Sequence, residues 1–154
     1  MITKEQGIEL IKYFEGCKLK AYQDSVGIWT IGIGSIRYED NSPVKEGDII
    51  TEAGAISLLS GFLRKTEEKV NELLKVTLKQ HQFDAIMSLV YNIGIGAFTK
   101  STILKKINNT PDDPSIGNEF TRWCRAGGKV VPGLLRRRKA EAQLYLTGKL
   151  IEFI

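Results

Sequence analysis

Between Thr51 and Lys75 the positions Ile56, Leu59, Leu63, Thr66, Val70 and Leu74 recur every three or four residues, the period of one face of an α-helix. Thr51 offers a side-chain oxygen as N-cap, so the pattern predicts one helix over residues 52–75, about 24 residues and roughly 36 Å long. A chain of 154 residues with 42% apolar residues closes one ordinary core and is too short for several independent domains. A helix this long therefore has to serve two lobes of one domain spanning 1–154.

What flanks the helix differs on its two sides. Upstream, Thr3 and Gln6 have capping-box spacing, Ile8, Ile11 and Phe14 follow at helical intervals, and Gly16 supplies a stop. This first helix delivers Glu15 at its C-terminal end. "KLKAYQD" and "IWTIGIG" then alternate around the turn Asp24-Ser25-Val26-Gly27, which predicts a β-hairpin. "SIRYEDNSP" continues as a polar loop or a third short strand. Downstream, "QHQFDAIMSLVYNIG" is apolar nearly all round and ends at Gly94, the signature of a central buried helix. Short helices are expected around "AFTKS", after Ser101, and from Pro114 to Trp123, with Trp123 a buried anchor. "RAGGKVVPG" reads as a loop, and a last helix runs from Pro132 to Gly148. The expected fold class is α+β: a small N-terminal lobe near residues 13–55, and a mainly helical lobe of residues 76–154 plus the first helix.

Chemistry concentrates in "YFEGCKLKAYQDSVGIWTIGIGS". Glu15 at a helix C-terminus faces the negative end of the backbone dipole, which favours a protonated carboxyl, whereas Asp24 in a turn has amides and water to keep it ionised. Two carboxyls in unlike surroundings are what acid/base division of labour requires. Along the second strand Trp29, Ile31 and Ile33 share one face, while Ile28, Thr30, Gly32 and Gly34 share the other. A hydroxyl beside two glycines suggests a shallow trough with room for a sugar ring and a water. Taken singly, a Glu at a helix end, an Asp in a turn and a Thr in a strand are commonplace structural residues, so spacing alone leaves turn and active site both open. "GIGSIR" lacks the third glycine and the βαβ setting of a nucleotide-binding fingerprint.

Composition narrows the classes. Two cysteines, Cys17 and Cys124, and one histidine, His81, leave no zinc-ligand spacing, and two idle thiols are expected rather than a bridge. No apolar run reaches the roughly 20 residues of a membrane span, and MITKEQG has no signal-peptide pattern. The formal charge of +4 is mild, and its concentration at Arg136, Arg137, Arg138 and Lys139 reads as a solvated helix face with one or two inward pairs, with nucleic acid a minor reading.

The Glu, the carboxylate nine positions on and the Thr six beyond that, Glu15, Asp24 and Thr30, resemble the signature of the phage-type (T4-like) lysozymes of glycoside hydrolase family 24. The resemblance continues through "WTIGIG", "QFDAIMSLVYNIGIGAFTKSTILKKIN" and "EFTRWCRAGGKVVPGLLRRRKAEAQLYL". It implies a lysozyme-like fold and inverting hydrolysis of the β-1,4 bond between N-acetylmuramic acid and N-acetylglucosamine in peptidoglycan. Glu15 would be the general acid, Asp24 would activate the attacking water and Thr30 would help to hold it, with the carboxyls about 6.5 to 9.5 Å apart. Tyr91, Ser101, Ile36 and Asn118 match sugar-contacting positions; Tyr91 also reads as core and Ser101 as an N-cap. Arg137, with Arg136 second, matches the arginine that approaches the catalytic Glu. Ser35 stands where many members carry a His, so any pairing that depends on that His is absent.

The resemblance further implies a monomeric, cofactor-free endolysin that binds no metal or nucleic acid and does not insert in membranes. It would wait in the host bacterial cytoplasm until a holin-type protein opens the membrane to the periplasm. With the first helix assigned to the catalytic lobe, self-export through an N-terminal anchor is not expected. Two other readings differ in outcome: a lytic transglycosylase would need no Asp24 and would yield an anhydro sugar, and a non-catalytic wall- or nucleic-acid-binding module would depend on Arg136 and Arg137 more than on Glu15.

Overall fold

The computed structural model describes residues 1–150. Its elements run α1 (Glu5–Glu15), β1 (Lys18–Gln23), β2 (Trp29–Gly32), α2 (Glu52–Leu73), α3 (Gln80–Ile93), α4 (Ile95–Thr99), α5 (Thr102–Asn109), α6 (Ile116–Thr121), β3 (Arg125–Ala126), β4 (Lys129–Val130) and α7 (Pro132–Thr147). The backbone clusters into two units, one of Ile11–Lys65 and one of Met1–Leu10 together with the chain from Thr66 onward. α1 and α2 each contribute residues to both.

In the Ile11–Lys65 unit β1 and β2 pair antiparallel, with Tyr22 opposite Thr30 and Gln23 opposite Trp29. Ala21, Ile31, Val44 and Leu58 form one buried apolar cluster, with Trp29, Tyr38 and Ile50 packed on it. β2 is covered on both sides, because Thr30, Ile31 and Gly32 are all buried. Gly32 adopts φ +65°, and a Cβ there would stand 3.1 Å from that of Ala55 on α2. The glycine thus admits a helix, and the trough expected on its face is closed at that point. The segment after it makes no third strand, only single bridges of Ile31 with Ser35, Arg37 with Pro43 and Lys20 with Ile49.

α2 starts as expected, Thr51 Oγ1 accepting the Gly54 N–H at 3.0 Å, and ends at Leu73, two residues short of Lys75. Its 22 residues span about 33 Å. Leu59, Leu63 and Val70 are buried as the period requires, and so is Glu67, which interrupts the apolar stripe.

In the second unit α3 carries an unbroken buried run from Gln82 to Val90, caps at Gly94, and packs with α6 against α7. Pro132 opens α7 and Gly148, at φ +74°, closes it. The Thr3–Gln6 capping box does not form. The Thr3 amide donates to Glu67 Oε2, the Lys4 amide donates to Asp84 Oδ1 at 2.9 Å, and Gln6 Nε2 reaches the Gly148 carbonyl at 3.1 Å. Two carboxylates brought from α2 and α3 satisfy the amides at the start of α1 that a local cap would have taken. Burial holds the Asp84 carboxyl above the usual aspartate range, against the bonds it accepts from Lys4, Gln80 and Gly7.

The stretch read as a loop after Trp123 contains a two-residue hairpin, Arg125 opposite Val130 and Ala126 opposite Lys129. Gly127 and Gly128 both have positive φ, 58° and 78°, as a tight hairpin turn of this kind demands. His81 is structural: its Nδ1 lies 2.9 Å from the Leu144 carbonyl and its ring packs on Gly148.

Candidate active site

Glu15 is the last residue of α1. Gly16 follows at φ +78° and donates its N–H to the Lys12 carbonyl at 2.8 Å, ending the helix and leaving Glu15 half-buried at the negative end of its dipole. Two residues later the chain enters β1, whose first residue, Lys18, lies opposite Gly32.

Asp24 follows β1 and organises the hairpin turn. Its Oδ1 accepts the amides of Val26 and Ile28, each at 2.9 Å, and its own N–H donates to the Ile28 carbonyl at 2.9 Å. That same carbonyl accepts the hydroxyl of Thr30 at 2.9 Å. The backbone of Ile28 therefore ties Asp24 and Thr30 together, holding the carboxylate through its N–H and the hydroxyl through its C=O. Two consequences follow. The Asp24 hydrogen bonds among the described residues engage Oδ1 and leave Oδ2 as the open acceptor. The Thr30 proton is committed to the backbone, so Oγ1 presents its remaining lone pair, although Thr30 is only 4% exposed. Ile36, after the tight turn between Ile31 and Ser35, is 43% exposed. Ser35 itself is buried, and its N–H and C=O both bond to Ile31. Glu15, Asp24, Thr30 and Ile36 all belong to the Ile11–Lys65 unit.

The other nominated residues belong to the second unit. Tyr91 is half-buried on α3. Ser101 is buried and caps α5, its Oγ accepting the Leu104 N–H at 3.2 Å and donating to the Phe98 carbonyl at 2.6 Å. Ser101 also lines a hollow of about 460 Å³ with Lys100, Glu119, Arg122 and Trp123. Trp123 is thus a half-buried wall of that hollow and not a buried anchor. Its neighbour Glu119 is held by Lys106 at 3.2 Å and Arg122 at 2.9 Å. Asn118 is exposed on α6 and is not among the residues lining the hollow. Lys100 and Arg122 escaped the sequence reading, and Trp123 was read there only as an anchor, because only their shared cavity sets them apart from ordinary helix-end residues.

The arginine run divides as helical geometry requires: Arg136 and Lys139 are exposed, Arg137 and Arg138 buried. Arg137 Nε lies 3.3 Å from Glu141 Oε2 and its Nη2 donates to the Ser88 carbonyl at 3.2 Å. Arg138 Nε stands 3.0 Å from Glu141 Oε1, and its Nη2 donates to Asn92. Burial pushes the Glu141 carboxyl up while both guanidiniums draw it down. Cys17 and Cys124 are free thiols. Among the described residues no cluster of His, Cys, Asp and Glu is placed to hold a metal, and no helix is long and apolar enough to cross a membrane.

Comparison with known proteins adds to this geometry. The family described as phage lysozyme matches residues 12–141. The endolysin of Acyrthosiphon pisum secondary endosymbiont phage 1 is 43% identical over 149 residues, covering 94% of this chain and 98% of that protein. The endolysin of Bacillus phage B103 is 40% identical over 151 residues, 97% of this chain, which spans 56% of that longer protein. Among solved structures, the endolysin from Escherichia coli O157:H7 phage FAHEc1 superposes with a TM-score of 0.90 at 38% identity, over 99% of this chain and 98% of that one. The fold is therefore lysozyme-like.

Proposed function

This chain belongs to the phage lysozyme family, and from that premise we propose that Glu15, Asp24 and Thr30 carry an inverting hydrolysis of the kind performed by T4-like lysozymes of glycoside hydrolase family 24. The protein is a phage endolysin, a lysozyme-type muramidase acting on peptidoglycan. The bond cleaved is the β-1,4 link between N-acetylmuramic acid and N-acetylglucosamine.

One observation carries the reading: the backbone of Ile28 holds a carboxylate and a hydroxyl as two acceptors of one turn. A water that donates one hydrogen to Asp24 and the other to Thr30 Oγ1 has its lone pair left for the anomeric carbon. As that carbon is attacked, Asp24 takes the water's proton and Glu15 delivers its own to the departing glycosidic oxygen, so the net change is addition of one water. Attack from the face opposite the leaving group inverts the centre, which asks for carboxyls about 6.5 to 9.5 Å apart.

Ile36, Tyr91, Ser101 and Asn118 contact the glycan in this reading. Lys100 and Arg122 beside Ser101 complement the carboxylates of the wall's peptide stems. Of the two arginines considered for Glu15, the support goes to Arg137, which is buried and fixed by Glu141 and Ser88, over the exposed Arg136. The protein acts as a monomer without cofactor, accumulates in the host cytoplasm and reaches the periplasmic face of the wall once a holin-type protein has opened the membrane. Turbidity of permeabilised Gram-negative cells tests the assignment. Glu15→Gln abolishes clearing with the fold intact, and Asp24→Asn causes a severe but smaller loss. Full clearing by Glu15→Gln would overturn it.

A further inference from the structure

Hollows of the Ile11–Lys65 unit occur that are not lined by Glu15, Asp24 or Thr30. Two of them, about 580 and 400 Å³, share the walls Tyr38, Glu39 and Leu58 and so form one groove along α2. On the helix side Gly54, Ser57, Leu58, Gly61, Phe62 and Lys65 follow at spacings of three, one, three, one and three, a single face of α2. Opposite stands the 38–41 turn, and none of the residues that carry the proposed hydrolysis lines the groove.

We infer that this groove is a second saccharide site, which takes uncharged N-acetylhexosamine units of a glycan strand. The inference rests on the reading of peptidoglycan as substrate. Four features support it. The floor is low and apolar, because Gly54, Ser57 and Gly61 bring little side-chain bulk above the buried Leu58. At one end Phe62 is 43% exposed, an aromatic surface of the kind on which the C–H face of a pyranose stacks. Hydrogen-bonding groups stand at the rim: the Glu39 carboxylate, which lies over Gly61, and the Asn41 amide. An apolar bed with a few placed polar groups is the composition of a ligand site, and the combined size suits one or two sugar rings.

The rim is also held in place. Asn41 has φ +69°, and its carbonyl accepts Arg37 Nη1 at 3.1 Å. Its N–H donates to the Tyr38 carbonyl at 2.9 Å. Tyr38 donates in turn to Asp48 at 2.7 Å. Charge selects among wall components: Glu39 and Asp40 outnumber Lys65 on the lining, so the groove repels the acidic peptide stem and admits the neutral sugar.

The test is an amide chemical-shift titration of the full chain carrying Glu15→Gln, with tetra-N-acetylchitotetraose as the probe. The sugar should move the amides of Gly54, Gly61 and Phe62 as a set separate from those of Asp24 to Thr30. Phe62→Ala should raise the dissociation constant read from the groove set about tenfold. Asn41→Gly, which keeps the left-handed backbone and deletes the amide, should weaken the groove set as well. Should Phe62→Ala perturb the fold, Gly61→Met lays a side chain across the groove and should abolish the groove shifts. Sugar-dependent shifts confined to the Asp24–Thr30 turn would overturn the inference. So would groove shifts that follow protein concentration instead of sugar, since a second copy would then be the occupant. If the unmodified enzyme clears cells while the groove stays silent, this inference fails alone; if it does not clear cells, the muramidase reading fails.

Discussion

At the scale of residues, the account turns on one peptide unit. The Ile28 carbonyl accepts both the Asp24 amide and the Thr30 hydroxyl, so that hydroxyl stabilises the turn, and in the proposed reading its oxygen also holds the attacking water. The two roles separate by substitution. Thr30→Val leaves the Ile28 carbonyl bonded to the Asp24 amide and should cost only about 1 kcal/mol of stability, while lytic activity falls steeply. Thr30→Ser keeps an oxygen and should retain most of both. Thermal unfolding alongside the turbidity assay checks this, and an active Thr30→Val would remove Thr30 from the water-holding role. A second pair of residues sets a pH response. Tyr38 is pushed up to about 12, first by burial and then by its bond to Asp48, which is itself held below the usual range, chiefly by that same bond. The depressed Asp48 contributes stability above about pH 4 that is lost as pH falls through its native value. The raised Tyr38 contributes stability that is present below about pH 10 and is lost as pH climbs toward 12. Urea midpoints of Tyr38→Phe should therefore decline less at alkaline pH than those of the parent, the buried Tyr145 supplying the remainder, and parallel curves would contradict the assignment.

At the scale of elements, α7 depends on a charged triad. Glu141 is fully buried between Arg137 and Arg138, at 3.3 and 3.0 Å. Glu141→Gln takes the carboxylate from between two buried guanidiniums, and should cost about 3–5 kcal/mol in chemical denaturation. A loss below about 1 kcal/mol would show that the arginines are compensated elsewhere. Inward pairing of this run was legible from charge spacing on a helix, but which two arginines turn inward was not, since that depends on where α3 packs. The same division holds elsewhere. α2, α3 and α7 were readable because their own periods and end residues specify them. The start of α1 was not: Glu67 and Asp84, more than sixty residues downstream, replaced the local cap. Gly32 read as an opening because a sequence does not display the arrival of Ala55. The hairpin of β3 and β4 escaped because two exposed residues per strand carry no alternation, leaving Gly127-Gly128 as the one signal.

At the scale of the whole molecule, the proposed chemistry and the proposed supports partition between the two units. Glu15, Asp24 and Thr30 fall within Ile11–Lys65, and Tyr91, Ser101 and Arg137 fall within the unit that contains Thr66 onward. The proposed trio could be nominated from the sequence, through the family resemblance, because it falls within sixteen consecutive positions, 15 to 30, on three linked local elements. The hollow beside Ser101 was not, since Lys100 and Trp123 meet only after α4, α5 and α6 have folded back on one another. In the proposed reading, what separates this molecule from a transglycosylase or a passive wall binder is the fate of one water, held by Asp24 and Thr30 and answered by Glu15. Proton NMR of the reducing end released in the first moments of digestion of a defined peptidoglycan oligosaccharide reads that fate directly. The account predicts the α-anomer of N-acetylmuramic acid before mutarotation; a β-anomer, or a 1,6-anhydro sugar with no reducing end, would contradict it.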